Sequence, residues 1–332
     1  MIKIGKISYW HVHAWDYTKQ AQGHPDTEIV AVWDESTERG KEAAQKLGAD
    51  FHESLDDMLG RSDIDAVIVD APTNRHEEVI VAAAKAGKHI FTEKVIAPTL
   101  REVNHILDEV KKAGVKLTVS LPRLNHGYTL AIRKLLEAET LGQITLVRSR
   151  LSHNGATAGW LPEHFYNPEQ TGGGALIDLG CHPMYLTRLF LGALPSSVSA
   201  AYGFVTGKEV EDNAVATLTE AGGAIGIVEA GFVNPQSPFV IEVHGTKGTL
   251  LYSTHDGKLL LRTTGEAWEE VAIPEDRESA FDQWVGHIVN NTEAVENVAL
   301  ATDLTMLMEA ASRSVKESRS VAIADLEGYD RK

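Results

Sequence analysis

The first 120 residues alternate short apolar segments with segments of helical periodicity, and this alternation constrains the fold more than any other feature. After an opening strand within 2–7, the apolar segments lie at 29–33, 66–70, 89–92 and 115–119. The helical patterns lie between them, at 37–47, 53–59, 75–86 and 100–113. Strands and helices that alternate at this interval form right-handed crossovers over a parallel sheet. The sequence therefore predicts a doubly wound α/β domain over residues 1–120.

The pattern changes after residue 121. A helical region at 128–139 leads to segments with period-two alternation, at 146–152, 214–219, 224–231 and 239–244. Helical segments return at 280–290 and 300–316. Period-two alternation is typical of strands that are buried on one face of an antiparallel sheet. We therefore predict a second, α+β domain over residues 121–332 with a large, mostly antiparallel open sheet.

Composition argues against several classes of function. No apolar run reaches the ~18–20 residues that cross a bilayer, and because the N-terminus enters a strand directly we expect no signal peptide. The net charge of −16 disfavours nucleic acid and anionic membranes as partners. The single cysteine, Cys181, suits a reducing cytoplasm. The 14 histidines show no compact set of three metal ligands, so we predict no metal site. These features favour a cytoplasmic enzyme that acts on small molecules.

The opening strand is followed by a turn that contains no glycine. Nucleotide-binding domains usually have a glycine-rich turn at this position. Read without gaps, the G-x-G-x-x-G positions fall on Ser8, Trp10 and His13. Those glycines permit a tight turn and a close approach of the backbone to the diphosphate. The next helix still offers free N–H groups and a positive dipole end, and Ser8 and His11 can supply further donors. We predict a remodelled dinucleotide site, with a lost site as the alternative.

Asp34 ends the second strand, where an acid accepts hydrogen bonds from the adenosine ribose. An acid there also repels the extra phosphate of NADP, and no arginine follows immediately. The sequence therefore favours NAD, with NADP as the less favoured cofactor. The alternative is that Asp34, Glu35 and Ser36 only cap the helix that starts near Thr37.

Two further strand ends carry polar residues. Pro72, Asn74 and His76 follow the third strand, and Glu93 and Lys94 follow the fourth. Ligands of open α/β sheets bind at the carboxyl ends of the strands, so all five are candidates for the cofactor site. Lys94 is also a candidate to orient a substrate oxygen. The alternatives are an N-cap for Asn74, a surface position for His76, and a solvated ion pair for Glu93 and Lys94.

The segment TNRHEEVIVAAAKAGKHIFTEK (73–94) resembles the signature of the Gfo/Idh/MocA family (glucose–fructose oxidoreductase, inositol dehydrogenase, rhizopine catabolism). The resemblance continues through Arg123, LG (141–142), GGGALIDLGCHP (172–183) and EVHGTKGTL (242–250). It implies a Rossmann-like domain, a second domain whose open sheet often forms a dimer, and NAD(P)-dependent oxidation or reduction of sugars, cyclitols and related polyols. Two departures are Val95 in place of proline and the missing glycines. A turn shortened by about three residues aligns His13 with a family histidine.

Asp178 and His182 lie four residues apart and share one face if the segment is helical. The carboxylate can then fix the tautomer of the imidazole and raise its basicity. The resemblance implies that His182 is the general acid/base, that Asp178 is its partner, and that Lys94 completes the catalytic set. The alternative is a capping aspartate and a core histidine. Pro183 predicts a kink or a late helix start.

The long loop before the glycine run is typical of functional lids. The candidate substrate-binding residues, besides Asp178 and His182, are Arg123, His153, Trp160, His164 and Tyr166. The favoured hypothesis is an NAD(H)-dependent oxidoreductase of a sugar, sugar acid or cyclitol. A redox-neutral NAD-using lyase or glycoside-cleaving enzyme and a non-catalytic sugar sensor remain alternatives. Ile227, Phe232 and Val240 need cover on the open sheet, which predicts a homodimer or homotetramer.

Overall fold

The computed structural model describes residues 1–329, which form two compact units. The first unit contains Met1–Leu121 and Glu278–Thr302, and the second contains Pro122–Arg277 and the described residues from Asp303 onward. The chain leaves the first unit where the sequence predicted a boundary. The predicted organisation with one boundary is incomplete, because the segment 278–302 returns to the first unit.

Apolar side chains explain why this segment belongs to the first unit. Phe281, Trp284 and Val285 are buried in one core cluster with Ile4 and Phe91. The rings of Phe91 and Phe281 meet edge to face with centroids 5.6 Å apart. Sequence periodicity shows that a helix has an apolar face, but it does not show which domain buries that face.

Residues 1–121 form the parallel sheet and the helices that connect its strands. The strands are β1 (Ile2–Ile7), β2 (Thr27–Trp33), β3 (Asp50–His52), β4 (Ala66–Val69), β5 (His89–Thr92) and β6 (Leu117–Val119). The helices are α1 (Ala14–Gly23), α2 (Thr37–Leu47), α3 (Leu55–Leu59), α4 (His76–Lys85) and α5 (Leu100–Ala113). The strand order is β3-β2-β1-β4-β5-β6, and every pair is parallel. The predicted doubly wound sheet is confirmed.

Helix α5 shows how local sequence sets these bounds. Thr99 and Glu102 form a reciprocal capping box at its N-terminus, and Gly114 ends it with a left-handed φ of 69°. A capping box satisfies N–H groups that have no partner within the helix, and glycine takes a left-handed φ without steric cost. Val103 and Ile106, three residues apart, lie on its buried face. The predicted bounds and the observed bounds of this helix coincide.

Residues 122–277 form most of a nine-stranded sheet and the helices that pack on it. The helices are α6 (Gly127–Glu137), α7 (Gly155–Ala158), α8 (Pro168–Thr171), α9 (Ala175–Asp178) and α10 (Cys181–Leu191). The strands are β7 (Ile144–Ser152), β8 (Ser197–Gly203), β9 (Asn213–Thr219), β10 (Ile225–Gly231), β11 (Val240–Gly245), β12 (Gly248–Ser253), β13 (Lys258–Thr263) and β14 (Glu269–Val271). After residue 277 come α11 (Ala280–Asn290), α12 (Val295–Glu317) and β15 (Val321–Ala322).

The second sheet is mostly antiparallel, as predicted. Its order is β14-β13-β12-β11-β7-β10-β9-β8-β15, and only the β7–β10 pair is parallel. Helix α10 packs on β7 and β10, where the Thr187 hydroxyl donates to Ser149 Oγ at 3.2 Å. Phe232 is fully buried, so the expectation that it needs cover on the open sheet is wrong. Among residues 1–329, no helix combines the length and the apolar character that a membrane span requires.

Candidate functional site

The turn between β1 and α1 closes without glycine. Ser8 takes a left-handed φ of 68°, which is uncommon for residues other than glycine, and its Oγ accepts the Trp10 N–H at 3.1 Å. The His11 N–H donates to the Asp70 carbonyl at 3.2 Å. The side chains of Trp10 and His11 are buried. The turn is therefore stabilised by its own hydrogen bonds and by packing of its large side chains.

The start of α1 follows the glycine-free turn and has no side-chain cap from the residue before it. The helix begins at Ala14, and the His13 side chain makes no capping hydrogen bond to it. The acid of the first turn, Asp16, is paired with His13 at 3.0 Å. The Ala14 N–H donates to the His11 carbonyl at 3.0 Å and the Asp16 N–H donates to the His13 carbonyl at 2.9 Å, so these two N–H groups are bonded within the chain. The positive dipole end of the helix remains as a feature that favours an anion.

Asp34 follows β2 directly and is tightly bound by its neighbours. Its carboxylate accepts the Tyr9 N–H at 2.8 Å and the Ser36 N–H at 2.7 Å. Arg39 adds a bidentate pair, from Nε at 2.9 Å and from Nη2 at 2.7 Å. Although burial lowers the pKa of Arg39, its bonds to Asp34 and Glu35 raise that pKa overall. No arginine follows Asp34 directly in the sequence, but Arg39, five residues later, pairs with it in the structure.

The alternative that Asp34, Glu35 and Ser36 cap α2 is confirmed for Ser36, while Asp34 makes other contacts. Ser36 is the N-cap of α2, and its Oγ accepts the Arg39 N–H at 3.5 Å. Asp34 instead links the turn between β1 and α1 to the segment that directly follows β2. Its side chain is fully buried and each of its two oxygens accepts two hydrogen bonds, so the observed role of this carboxylate is structural.

The segment after β4 is held by His76. Its Nδ1 lies 2.8 Å from the Val95 carbonyl and its Nε2 lies 3.0 Å from the Ala71 carbonyl. Burial lowers the pKa of His76, against the opposing effect of the two carbonyls. The alternative of a surface histidine is wrong. His76 links the segments after β4 and β5, and so it fixes Val95 in the turn where the family carries proline.

Asn74 and Pro72 lie in the same segment. Asn74 is exposed within a 3-10 turn, Thr73–Arg75, and the N-cap of α4 is Arg75, so Asn74 does not cap that helix. Pro72 is buried and precedes the 3-10 turn. The side-chain amide of Asn74 is therefore exposed near the carboxyl edge of the sheet and does not act as the helix cap.

Glu93 and Lys94 are buried, so the alternative of a solvated ion pair is wrong. Lys94 Nζ lies 3.6 Å from Glu93 Oε1. Tyr17 Oη donates to Glu93 Oε2 and lies 2.7 Å from Ser120 Oγ. Burial raises the pKa of Glu93, but His11, Lys94, His13 and Tyr17 together lower it, so the carboxylate stays charged beside the lysine. Sequence reasoning did not identify Tyr17 or Ser120, which lie 76 and 103 residues from their partners in this cluster.

A second buried ion pair lies within the first unit. Lys6 of β1 pairs with Asp70, which follows β4, and both side chains are fully buried. The Lys6 ammonium also lies 5.0 Å from the centre of the Tyr9 ring. Burial lowers the pKa of Lys6 well below its usual value, against the opposing charges of Asp34 and Glu93.

In the second unit, the glycine run 172–174 allows the chain to pass against Glu211. A Cβ on Gly174 would lie 2.0 Å from the Glu211 carbonyl oxygen. The buried Glu211 carboxylate accepts the Gly174 N–H at 2.8 Å and the Leu176 N–H at 3.0 Å. Burial raises the pKa of Glu211. Glu211, which sequence reasoning missed, therefore fixes the start of α9, the helix that ends at Asp178.

Asp178 and His182 do not lie on one continuous helix. The expectation that they share one face depended on such a helix, so its condition is not met. Helix α9 ends at Asp178 and α10 begins at Cys181. The break falls at Gly180, where a Cβ would lie 2.6 Å from the Leu176 carbonyl oxygen and 2.9 Å from the Ala230 Cβ. Pro183 consequently lies in the first turn of α10, where a missing N–H costs little.

His182 is held by a tyrosine on its own helix. Its Nδ1 lies 3.3 Å from the Tyr185 hydroxyl, which also accepts the Arg123 N–H at 3.0 Å. The Arg123 guanidinium lies over the Phe239 ring at 4.3 Å and donates to the Tyr128 hydroxyl at 3.2 Å. The structure thus brings two predicted residues, Arg123 and His182, onto one buried hydroxyl.

The charge of Asp178 acts on His153. Burial lowers the pKa of His153, and the charge of Asp178 opposes that shift. The His153 ring stacks on Phe232 with centroids 5.0 Å apart and lies 4.6 Å from the Trp160 ring. Trp160 is 55% exposed, so one aromatic surface beside His153 is open to solvent.

His164 and Tyr166 lie further along the same loop, in the 3-10 turn Glu163–Tyr166. Lys208 Nζ lies 4.4 Å from the centre of the buried Tyr166 ring and 3.0 Å from both carboxylate oxygens of Glu163. Burial raises the pKa of Tyr166. Lys208 therefore holds this part of the loop against the segment before β9. No group of three or more histidine, cysteine or acidic side chains in the part of the chain that the structure describes is arranged to hold a metal ion.

Two family descriptions match the chain. Residues 1–121 match an oxidoreductase family with an NAD-binding Rossmann fold, and residues 129–251 match the Gfo/Idh/MocA C-terminal domain. The fold and these matches define a two-domain, nicotinamide-dependent oxidoreductase with an NAD-binding N-terminal domain. The chain belongs to the Gfo/Idh/MocA family, so the predicted family, enzyme class and cofactor are confirmed.

Similar proteins agree with this assignment. The chain is 27% identical over 316 residues to scyllo-inositol 2-dehydrogenase (NAD⁺) of Bacillus subtilis, covering 92% of this chain and 88% of that protein. It is 30% identical over 232 residues to 1,5-anhydro-D-fructose reductase of Ensifer adhaerens, covering 68% of each chain. The crystal structure of a protein from Desulfitobacterium hafniense has the same fold, with a TM-score of 0.85, 20% identity, and coverage of 98% of this chain and 99% of that one.

Proposed function

We propose that this protein transfers hydride between NAD(H) and a hydroxyl or carbonyl carbon of a sugar, sugar acid or cyclitol. The observation that carries the proposal is the buried Lys94 ammonium beside the charged Glu93 at the carboxyl end of β5. Ligands of open α/β sheets bind at that edge. A buried cation there is suited to an oxygen that gains negative charge during the reaction.

The first unit offers residues for each part of the cofactor. The start of α1 with Ser8 and His11 suits the diphosphate, and Asp34 with Arg39 suits the adenosine ribose. Bound NAD(H) supplies or accepts the hydride. The segments after β4 and β5, held together by His76, contribute the remaining predicted contacts.

The residues of the chain itself handle the proton and the charge. His182 takes the hydroxyl proton during oxidation and returns it during reduction, because its imidazole can change protonation near neutral pH. Lys94, in the first unit, is suited to stabilise negative charge on a substrate oxygen. Asp178 and His153 are suited to substrate hydroxyls, and the exposed face of Trp160 is suited to the apolar face of a ring.

The proposal is tested by titrating the protein with NAD, NADH, NADP and NADPH, followed by a screen of polyols and sugars for NADH formation. We expect binding of NAD(H) and turnover of at least one polyol or sugar. Tightly held cofactor with substrate conversion and no net NADH formation would instead indicate the redox-neutral lyase. Absence of nicotinamide binding, with retained sugar binding, would indicate the sensor and contradict the proposal.

The Asp34–Arg39 pair makes a specific prediction about cofactor choice. We expect NAD(H) to bind more tightly than NADP(H), because the Asp34 carboxylate repels the additional phosphate. Arg39→Ala removes the positive charge that offsets this repulsion. The dissociation constant of NADP divided by that of NAD should therefore rise about fivefold. This change corresponds to ~1 kcal/mol, the interaction energy of two unit charges about 4 Å apart in water.

Asp34→Asn should change the same ratio in the opposite direction. The matched control is Arg61→Ala, because Arg61 forms a bidentate pair with Asp63 at 3.0 and 2.9 Å elsewhere in the first unit. A ratio that is the same in Arg39→Ala and in Arg61→Ala would show that the pair does not set cofactor choice.

We further propose that the enzyme is a homodimer or a dimer of dimers, paired through the open face of the nine-stranded sheet. Val215 and Ile225 on this face are 40% and 41% exposed. Arg148 pairs with Glu229 at 3.1 and 3.0 Å on the same face. Exposed apolar residues beside charges of both signs suit an isologous interface, where a patch meets its own copy. Cys181, the single cysteine of the sequence, is a buried thiol, in keeping with a cytoplasmic location.

Light scattering at micromolar concentration tests the oligomeric state. We expect the mass of two or four chains, and a shift to one chain for the double variant Val215→Asp/Ile225→Asp, because two desolvated carboxylates oppose the interface. Val289→Asp, at an exposed valine of the first unit, is the control and should leave the mass unchanged. A monomeric wild-type protein would contradict the proposal.

A further inference from the structure

A cavity on the open face of the nine-stranded sheet contains charges of both signs. It is lined by Arg148 and Arg150 of β7, Glu229 of β10, and Val240 and Glu242 of β11. Ser149, between the two arginines, accepts a hydrogen bond from Thr187 of α10. Because successive side chains of a strand point to opposite faces, both arginines point away from that helix. β7 is the fifth of the nine strands, so the cavity lies at the centre of the open face.

One ion pair in this cavity forms within the chain. The Arg148 guanidinium donates to both carboxylate oxygens of Glu229, from Nε at 3.1 Å and from Nη2 at 3.0 Å. These bonds raise the pKa of Arg148, and the nearby charge of Glu242 adds a smaller effect in the same direction. A two-point pair of this kind fits the planar geometry of both groups. Arg148 and Glu229 are therefore matched to each other.

Arg150 and Glu242 are the charges that remain in the cavity. The Arg150 Nε is buried, and nothing in residues 1–329 accepts a hydrogen bond from it. Glu242 Oε2 lies 3.8 Å from His244 Nε2, which is too far for a hydrogen bond. A buried donor without an acceptor is destabilising, so we expect an acceptor from outside this chain.

A second copy of the chain can supply that acceptor. A free anion would gain little net attraction, because two glutamates offset the two arginines that line the cavity. A second open face instead brings both a carboxylate and a guanidinium, so each remaining charge meets its opposite. In an isologous interface a contact of residue i with residue j occurs twice, because j also contacts i.

We propose that Arg150 of each protomer pairs with Glu242 of the partner subunit across the open face of the sheet. The two pairs form at the centre of the interface, on the same face as the exposed Val215 and Ile225. Because opposite charges must meet at both contacts, the pairs also set the register in which the two sheets face each other. This inference rests on the proposed pairing of open faces and names the contact that orients it.

Charge reversal tests the pairing. Arg150→Glu and Glu242→Arg, each alone, place like charges opposite each other at both contacts, so we expect the dissociation constant of the paired chains to rise about a hundredfold. Analytical ultracentrifugation of the full chain over a dilution series measures this constant. Arg101→Glu, at an exposed arginine of α5 in the first unit, is the matched control and should leave the constant unchanged.

An equimolar mixture of the two single variants distinguishes pairing between chains from pairing within one chain. In the mixed pair each contact joins opposite charges, because one chain carries carboxylates at both positions and the other carries cations at both. We therefore expect the mixture to recover the wild-type dissociation constant. Native mass spectrometry, with one variant labelled with ¹⁵N, should show the mixed pair as the main species.

The double variant Arg150→Glu/Glu242→Arg restores opposite charges under either arrangement. Recovery in the double variant alone would place the pair within one chain and overturn the proposal. So would recovery in neither sample, or single variants that keep the wild-type constant. In these three cases a paired wild-type protein leaves the proposed oligomer intact, whereas a monomeric wild type would contradict both proposals.

Discussion

His182→Ala should lose about 10²- to 10⁴-fold in turnover and keep its affinity for NAD(H). The loss corresponds to the usual contribution of a positioned general acid or base. The affinity should stay because we propose that the imidazole acts on the substrate hydroxyl, and the residues proposed for the dinucleotide belong to the first unit. Steady-state kinetics on a substrate from the polyol screen measure the loss, and a fluorescence titration measures NADH binding.

His255→Ala is the control for this variant, because His255 is an exposed histidine of the same unit. It should change neither turnover nor cofactor affinity. Near-normal turnover of His182→Ala on a confirmed substrate would place the proton transfer elsewhere. The turn that carries His11 and His13 would then be the first place to look, since both residues lower the pKa of Glu93.

Lys6→Met should lower the free energy of unfolding by about 3–5 kcal/mol, the usual cost of removing one partner of a buried ion pair. The variant leaves the Asp70 carboxylate fully buried without its cation. The double variant Lys6→Met/Asp70→Asn removes both charges and should recover most of the loss. Urea unfolding, with the m-value checked for two-state behaviour, measures these changes.

Lys3→Met is the matched control for this prediction. Lys3 lies on the same strand, but its ammonium is half-exposed and 3.8 Å from Asp63. An exposed pair contributes little, so this variant should stay within about 0.5 kcal/mol of the wild type. Equal effects of Lys6→Met and Lys3→Met would show that Lys6 is held in its neutral form and that the ion pair does not stabilise the fold.

Local sequence predicted the regular elements well where a helix carries its own start and stop signals. Helices α2, α5 and α11 have the predicted bounds, because a serine or threonine begins each one and a left-handed residue ends it. Short strands such as β3 and β14 were missed, since three residues are too few to establish a period of two. Their bounds depend on pairing with a neighbouring strand.

The sequence alone determined the two-domain architecture, the family, and which residue types stand at the strand ends, because periodicity and motifs are local properties of the chain. Only the tertiary structure decided the partners of those residues. Asp34 pairs with the Tyr9 N–H, Glu93 with Tyr17, and the Arg123 N–H with Tyr185, across 25, 76 and 62 residues of chain. A hydrogen bond between distant residues depends on how strands and helices pack, and packing is a property of the whole core. For the same reason the structure shows Asp34 as a buried anchor between two segments and places Tyr185 beside His182, neither of which the sequence indicated.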